Sequence, residues 1–130
     1  MNRLTIGLVL SSLLLVPQVA LAQETEERVV TLVHAAPGKY RDVVQWLVDN
    51  DRIRAEAGLE PRQIYRHRNG GNWDFLVIEP PLVADEDAKF EAAAKKLGIT
   101  LAQFRDIVMD HEDTVVGGPT TGARVMAELD

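Results

Sequence analysis

The chain has 130 residues, 26% of them charged, with 20 acidic against 14 basic side chains, three histidines and no cysteine. An acidic surface repels nucleic acid and anionic membrane, so neither is expected as a partner. The missing thiols exclude disulfide scaffolds, thiolate metal sites and lipid attachment through cysteine.

Met1, Asn2 and Arg3 give a short positive start, and an uncharged stretch runs from Leu4 to Val16. Pro17 breaks it, and Ala20-Leu21-Ala22 supplies small side chains before Gln23. This is the layout of a signal peptide over residues 1–22, cleaved to leave one domain over residues 23–130. The apolar part is shorter than the ~20 residues of a membrane span, and no membrane attachment is expected after cleavage. The expected location is outside the cytoplasm, periplasmic or extracellular. The only serines, Ser11 and Ser12, lie inside that leader, which excludes a serine hydrolase in the mature chain.

Gln23 to Glu27 is polar and acidic. Val29 to Ala35 is β-branched and apolar on both parities, as a strand covered on two faces would be. Pro37-Gly38 ends it, and Tyr40, Val43, Val44 and Leu47 recur at helical spacing. That helix is predicted to reach Ala57, with Gly58 as its C-terminal cap. Trp46 falls off the stripe, as a flank of the core or an interface residue. Gln63–Arg68 and Trp73–Ile78 read as strands joined by Asn69-Gly70-Gly71-Asn72, whose residues tolerate the positive φ of a tight hairpin turn. Glu79-Pro80-Pro81 closes the second strand.

Asp85 is a candidate cap for a helix with Phe90, Ala93, Ala94 and Leu97 on its apolar face, stopped by Gly98. Thr100 and Gln103 have capping-box spacing for a further helix, with Phe104, Ile107, Val108, His111 and Val115 on one side. Residues 123–129 fit a last strand or a helical turn. The order predicts an α+β fold of the ferredoxin-like type, β-α-β-β-α(-β), with an antiparallel sheet and helices on one face. The opposite face would then lack cover within one copy.

The predicted hairpin pairs Arg66 with Phe75, Tyr65 with Leu76 and Ile64 with Val77, and brings His67 opposite Asp74. A carboxylate holding one imidazole nitrogen leaves the other as a base, so His67, Asp74 and Tyr65 are the candidate catalytic residues. The plainer alternative is a favourable cross-strand pair near a hairpin tip. Arg66, Arg68, Trp73 and Phe75 suggest an anion-binding or stacking patch, or only a structural cation–π contact. Arg52, Arg54 and Arg62 read as solvated side chains. His34, His67 and His111 have no ligand spacing, so neither a metal nor another cofactor is expected.

The strand Val29–Ala35, the helix opened by Pro37-Gly38-Lys39-Tyr40, Gly58 before the second strand, and the run Arg66-His67-Arg68-Asn69-Gly70-Gly71-Asn72-Trp73-Asp74 carry a resemblance. Over residues 28–116 the chain resembles the dimeric α/β-barrel superfamily, which includes antibiotic-biosynthesis-monooxygenase-like domains. The resemblance implies a homodimer whose sheets close into a barrel, with a small-molecule cavity between sheet and helices. No catalytic motif of the family can be aligned. The expectation is an exported, homodimeric binding protein for a small apolar or aromatic ligand. A cofactor-independent monooxygenase or isomerase acting on a small aromatic compound is the alternative. A structural interaction module using the Trp46 or Trp73 surface is a third reading.

Overall fold

A computed structural model describes residues 26–129, and the predicted leader over residues 1–22 lies outside the described residues. Four strands and four helices follow in order: β1 (Glu27–Ala35), α1 (Tyr40–Glu56), β2 (Gln63–Arg66), β3 (Phe75–Ile78), α2 (Glu86–Leu97), α3 (Phe104–Ile107), β4 (Val108–Gly117) and α4 (Gly122–Ala127). The strands form one antiparallel sheet in the order β2-β3-β1-β4. No helix among the described residues is long and apolar enough to cross a membrane.

β1 is central because its β-branched run suits a strand with neighbours on both edges. It pairs with β3 through Val33↔Phe75 and Thr31↔Val77, and with β4 over its whole length. Strand side chains alternate between faces, so Val33, Ala35, Phe75 and Val77 share one side. They form the core with Val43 and Leu47 of α1 and Ile107 of α3, flanked by Trp46, Ile64, Phe104 and Val108. The ring of Tyr40 lies 5.2 Å from that of Phe75, tying the first turn of α1 to the sheet. On the other face Val30, Leu32, His34, Leu76 and Ile78 are only half-buried, and Tyr65 is 54% exposed.

Gly58 ends α1 as predicted. Its φ of +67° is open to a residue without Cβ, and it lets the Gly58 and Leu59 amides donate to Ala55 O and Arg54 O. Lys96 of α2 pairs with Glu56 at the same end of α1. Asp85 precedes α2, but its side chain caps nothing.

The hairpin register is the predicted one: Arg66↔Phe75, Tyr65↔Leu76 and Ile64↔Val77, with the His67 amide donating to Asp74 O at 2.9 Å. Gly70 and Gly71 both adopt positive φ. The ladder is shorter than expected, since Arg68 and Trp73 lie outside it.

Two expectations fail beyond Gly98. The helix predicted from Thr100 to Val115 is only the single turn Phe104–Ile107, and Val108–Gly117 is a strand. The capping box does not form, since Gln103 occupies the cap position without a side-chain bond. The free edge of β1 offers a ladder to the β-branched Thr114-Val115-Val116 segment, and that tertiary pairing overrides local helical spacing. The last strand is therefore β4, while the ambiguous tail forms α4, with the Arg124 amide donating to Thr121 Oγ1.

Replacing Phe75 by alanine would remove the ring shared by α1 and the sheet. It is expected to destabilise the domain by about 3–5 kcal/mol, measured by urea unfolding.

Candidate functional site

Pairing with β4 decides which side chains border the space between sheet and helices. Thr31 stands opposite Asp113 and Val33 opposite His111. A register shift between His34 and Ala35 leaves Met109 with no opposite residue. This bulge lets Val108 pack against the core while His111, three residues on, lies on the same side.

There, Thr31, Val33, Trp46, Arg62, Val77, Glu79, Phe104, His111 and Asp113 line a cavity of about 230 Å³ that is open to solvent. Three rings run along its wall: Trp46 and Phe104 with centroids 4.8 Å apart, then Phe104 and His111 edge-on at 5.3 Å. The Thr31 hydroxyl donates to Asp113 Oδ1 at 2.7 Å, and Asp113 Oδ2 lies 3.8 Å from His111 Nε2. One carboxylate is thus fixed by a hydroxyl and faces an imidazole.

Arg62, whose side chain is only 3% exposed, and Glu79 also line the cavity. The Arg62 guanidinium carbon sits 5.4 Å from the centre of the Trp46 ring. Arg62 Nη2 donates to Asp51 Oδ1 at 3.2 Å, and Nη1 is 3.7 Å from Glu79 Oε1. Its Nε–H is buried with no acceptor. Burial pushes the Glu79 carboxyl above the ordinary glutamate range, outweighing the opposite pull of Arg62 and then Arg54, while Glu86 adds to the rise. Arg54 is buried as well. Its Nε donates to Glu60 O at 2.9 Å and its Nη1 to Glu86 Oε1 at 2.7 Å. The expectation of solvated arginines therefore fails at both Arg54 and Arg62.

The structure does not join the side chains of the predicted His67–Asp74–Tyr65 set. Asp74 Oδ2 accepts from the Ala35 amide at 2.8 Å, holding the end of β1. The His67 ring packs on Trp73 at 4.6 Å, and the Tyr65 hydroxyl donates to Gln63 Oε1 at 3.4 Å. Of the arginine–aromatic patch, Phe75 is buried in the core and Trp73 packs on histidine instead. Gly71 supports that packing, since an added Cβ would come within 2.9 Å of Trp73 Nε1.

Helical spacing puts His111 on the apolar side of a helix. It is instead on a strand, beside Phe104 and Asp113. Trp46, off the helical stripe, is the other signal that pointed here, as a flank of the core. Arg62 and Glu79 gave none, because the pairing of a residue before β2 with one after β3 is set by the hairpin between them. Among the described residues no three histidine or carboxylate side chains converge as a metal site would require. Comparison with protein-family models, curated proteins and solved structures finds no match.

Glu79 binds its proton more tightly in the folded than in the unfolded chain. Its contribution to stability is therefore full below the ordinary glutamate pKa and lost as pH rises through the raised value. Arg62→Met is expected to raise the Glu79 pKa further, read by ¹³C carboxyl titration. The same change is expected to cost about 3 kcal/mol in urea unfolding, since it leaves a partly buried carboxylate without its cation.

Proposed function

We propose that the chain is an exported, homodimeric small-molecule-binding domain, with its ligand held between the sheet and α1. The observation that carries this reading is the aromatic-walled cavity of about 230 Å³ with a few polar groups aimed along it. Binding sites combine apolar walls with a small number of placed polar groups, and a dry engineered cavity of ~150 Å³ accepts benzene. A compound of one or two rings fits this volume.

The strand order β2-β3-β1-β4, with helices α1 and α2 as crossovers, supports the ferredoxin-like topology of the dimeric α/β-barrel superfamily. The homodimer is supported by the uncovered sheet face, where Val30, Leu32, Leu76, Ile78, Tyr65 and Val116 give an apolar surface within one copy. A second copy covering it would bury what α1 does not, and a two-fold contact is self-limiting. The leader-like residues 1–22 support export.

One observation favours catalysis on the same ligand. His111 faces a carboxylate already anchored by Thr31, the arrangement of a base for a phenolic proton in a cofactor-independent isomerase or monooxygenase. In that version His111→Ala retains binding and loses turnover.

The dimer is tested by light scattering coupled to size exclusion. The expected mass is twice that of one chain, and Leu32→Arg combined with Ile78→Arg is expected to yield folded monomer. A monomer at all concentrations in the unsubstituted protein would remove the dimer from this proposal. Ligand binding is tested separately by native mass spectrometry of protein purified from its own source, where a co-purified small aromatic compound is the expected result.

A further inference from the structure

The charges around the cavity are unequal. Glu79 and Asp113 are both on its wall, whereas Arg62 is the only wall residue with a permanent positive charge. That cation is already engaged twice, by Glu79 at 3.7 Å and by Asp51 at 3.2 Å from outside the cavity. Its Nε–H is buried without an acceptor, and the side chain as a whole is only 3% exposed. Among the described residues Asp113 has no arginine or lysine partner. Its contacts are a hydroxyl and a histidine, and its side chain is 58% exposed. Any ligand entering the space meets an unneutralised carboxylate and aromatic faces, a combination that attracts cations and hydrogen-bond donors and repels anions.

Resting on the reading of this cavity as the binding site, we infer that the ligand is a small aromatic amine or a neutral N–H or O–H donor, and that aromatic carboxylates are rejected. The amine or donor hydrogen lies toward Asp113, with the ring along Trp46 and Phe104. Arg62 is a positioning residue for Trp46 and Glu79; it is not the ligand's anchor. The acidic balance of the whole chain acts in the same direction at longer range.

The test compares tryptamine, indole and indole-3-acetate, which share a ring system and differ in charge at pH 7.5. Binding is measured by titration calorimetry, and location by the two indole N–H signals in proton–nitrogen NMR, assigned with Trp73→Phe. The expected order is tryptamine, then indole, then indole-3-acetate, with about tenfold or more between the first and last. The Trp46 signal is expected to move. Asp113→Asn should bring the extremes within about threefold, chiefly by weakening tryptamine. Glu79→Gln, read in parallel, should narrow the gap less, because Glu79 is already paired with Arg62. Equal or tighter binding of indole-3-acetate would overturn the inference by making Arg62 the receptor. So would an undiminished preference in Asp113→Asn, or movement of the Trp73 signal alone. Failure of all three probes to bind the folded protein would instead remove the cavity reading itself, and this inference with it.

Discussion

The pairing of β1 with β4 is the constraint on which the rest of this molecule depends. It fills the open edge of the most apolar strand, and by register alone it sets Thr31 against Asp113 and Val33 against His111. Shifting that register by one residue would turn every β4 side chain to the other face. His111 and Asp113 would leave the cavity, and Asp110 and Glu112 would enter it. The chemistry of the site is thus a property of the ladder before it is a property of any side chain.

Much of the α+β frame could be read from residues. The β-branched run of β1, the stripe of α1, the stop at Gly58 and the Asn-Gly-Gly-Asn turn each carry a local physical signal, and each reappears in the structure. The failure after Gly98 has a physical source. Phe104, Ile107, Val108, His111 and Val115 lie at spacings that imitate a helix, yet the imitation is assembled from one helical turn, a bulge and a strand. A bulge adds one residue to a period of two, and a reading based on period alone cannot distinguish that from a helix. The candidate site goes with it, because a helix would turn His111 and Asp113 in different directions, whereas a strand sets both on one face. The hairpin pairing was legible and its chemistry was not. The backbone brings His67 opposite Asp74, but the carboxylate binds the Ala35 amide of a strand remote in sequence.

Arg54 and Arg62 show how charge is managed at the other end of the cavity. Each is buried, and each has more than one acceptor: Glu86 and a carbonyl for Arg54, Asp51 and Glu79 for Arg62. Burying such groups is costly unless they are paired, so the network fixes the geometry where the end of α1, the approach to β2 and the start of α2 meet. Arg62 extends that order to the site by lying against Trp46. The one-third-exposed Glu79 is the point where this internal network reaches the cavity.

β4 also has an outer side. It is the rim of the sheet, ten residues long, and among the described residues its far backbone edge has no neighbouring strand. Such a rim would ordinarily template the addition of further chains, one copy after another, toward fibres. Here Asp110, Glu112 and Asp113 crowd the middle of it, so two rims brought together would set acid against acid. Asp113, which also gives the cavity its negative charge, is thereby part of a guard against runaway polymerisation.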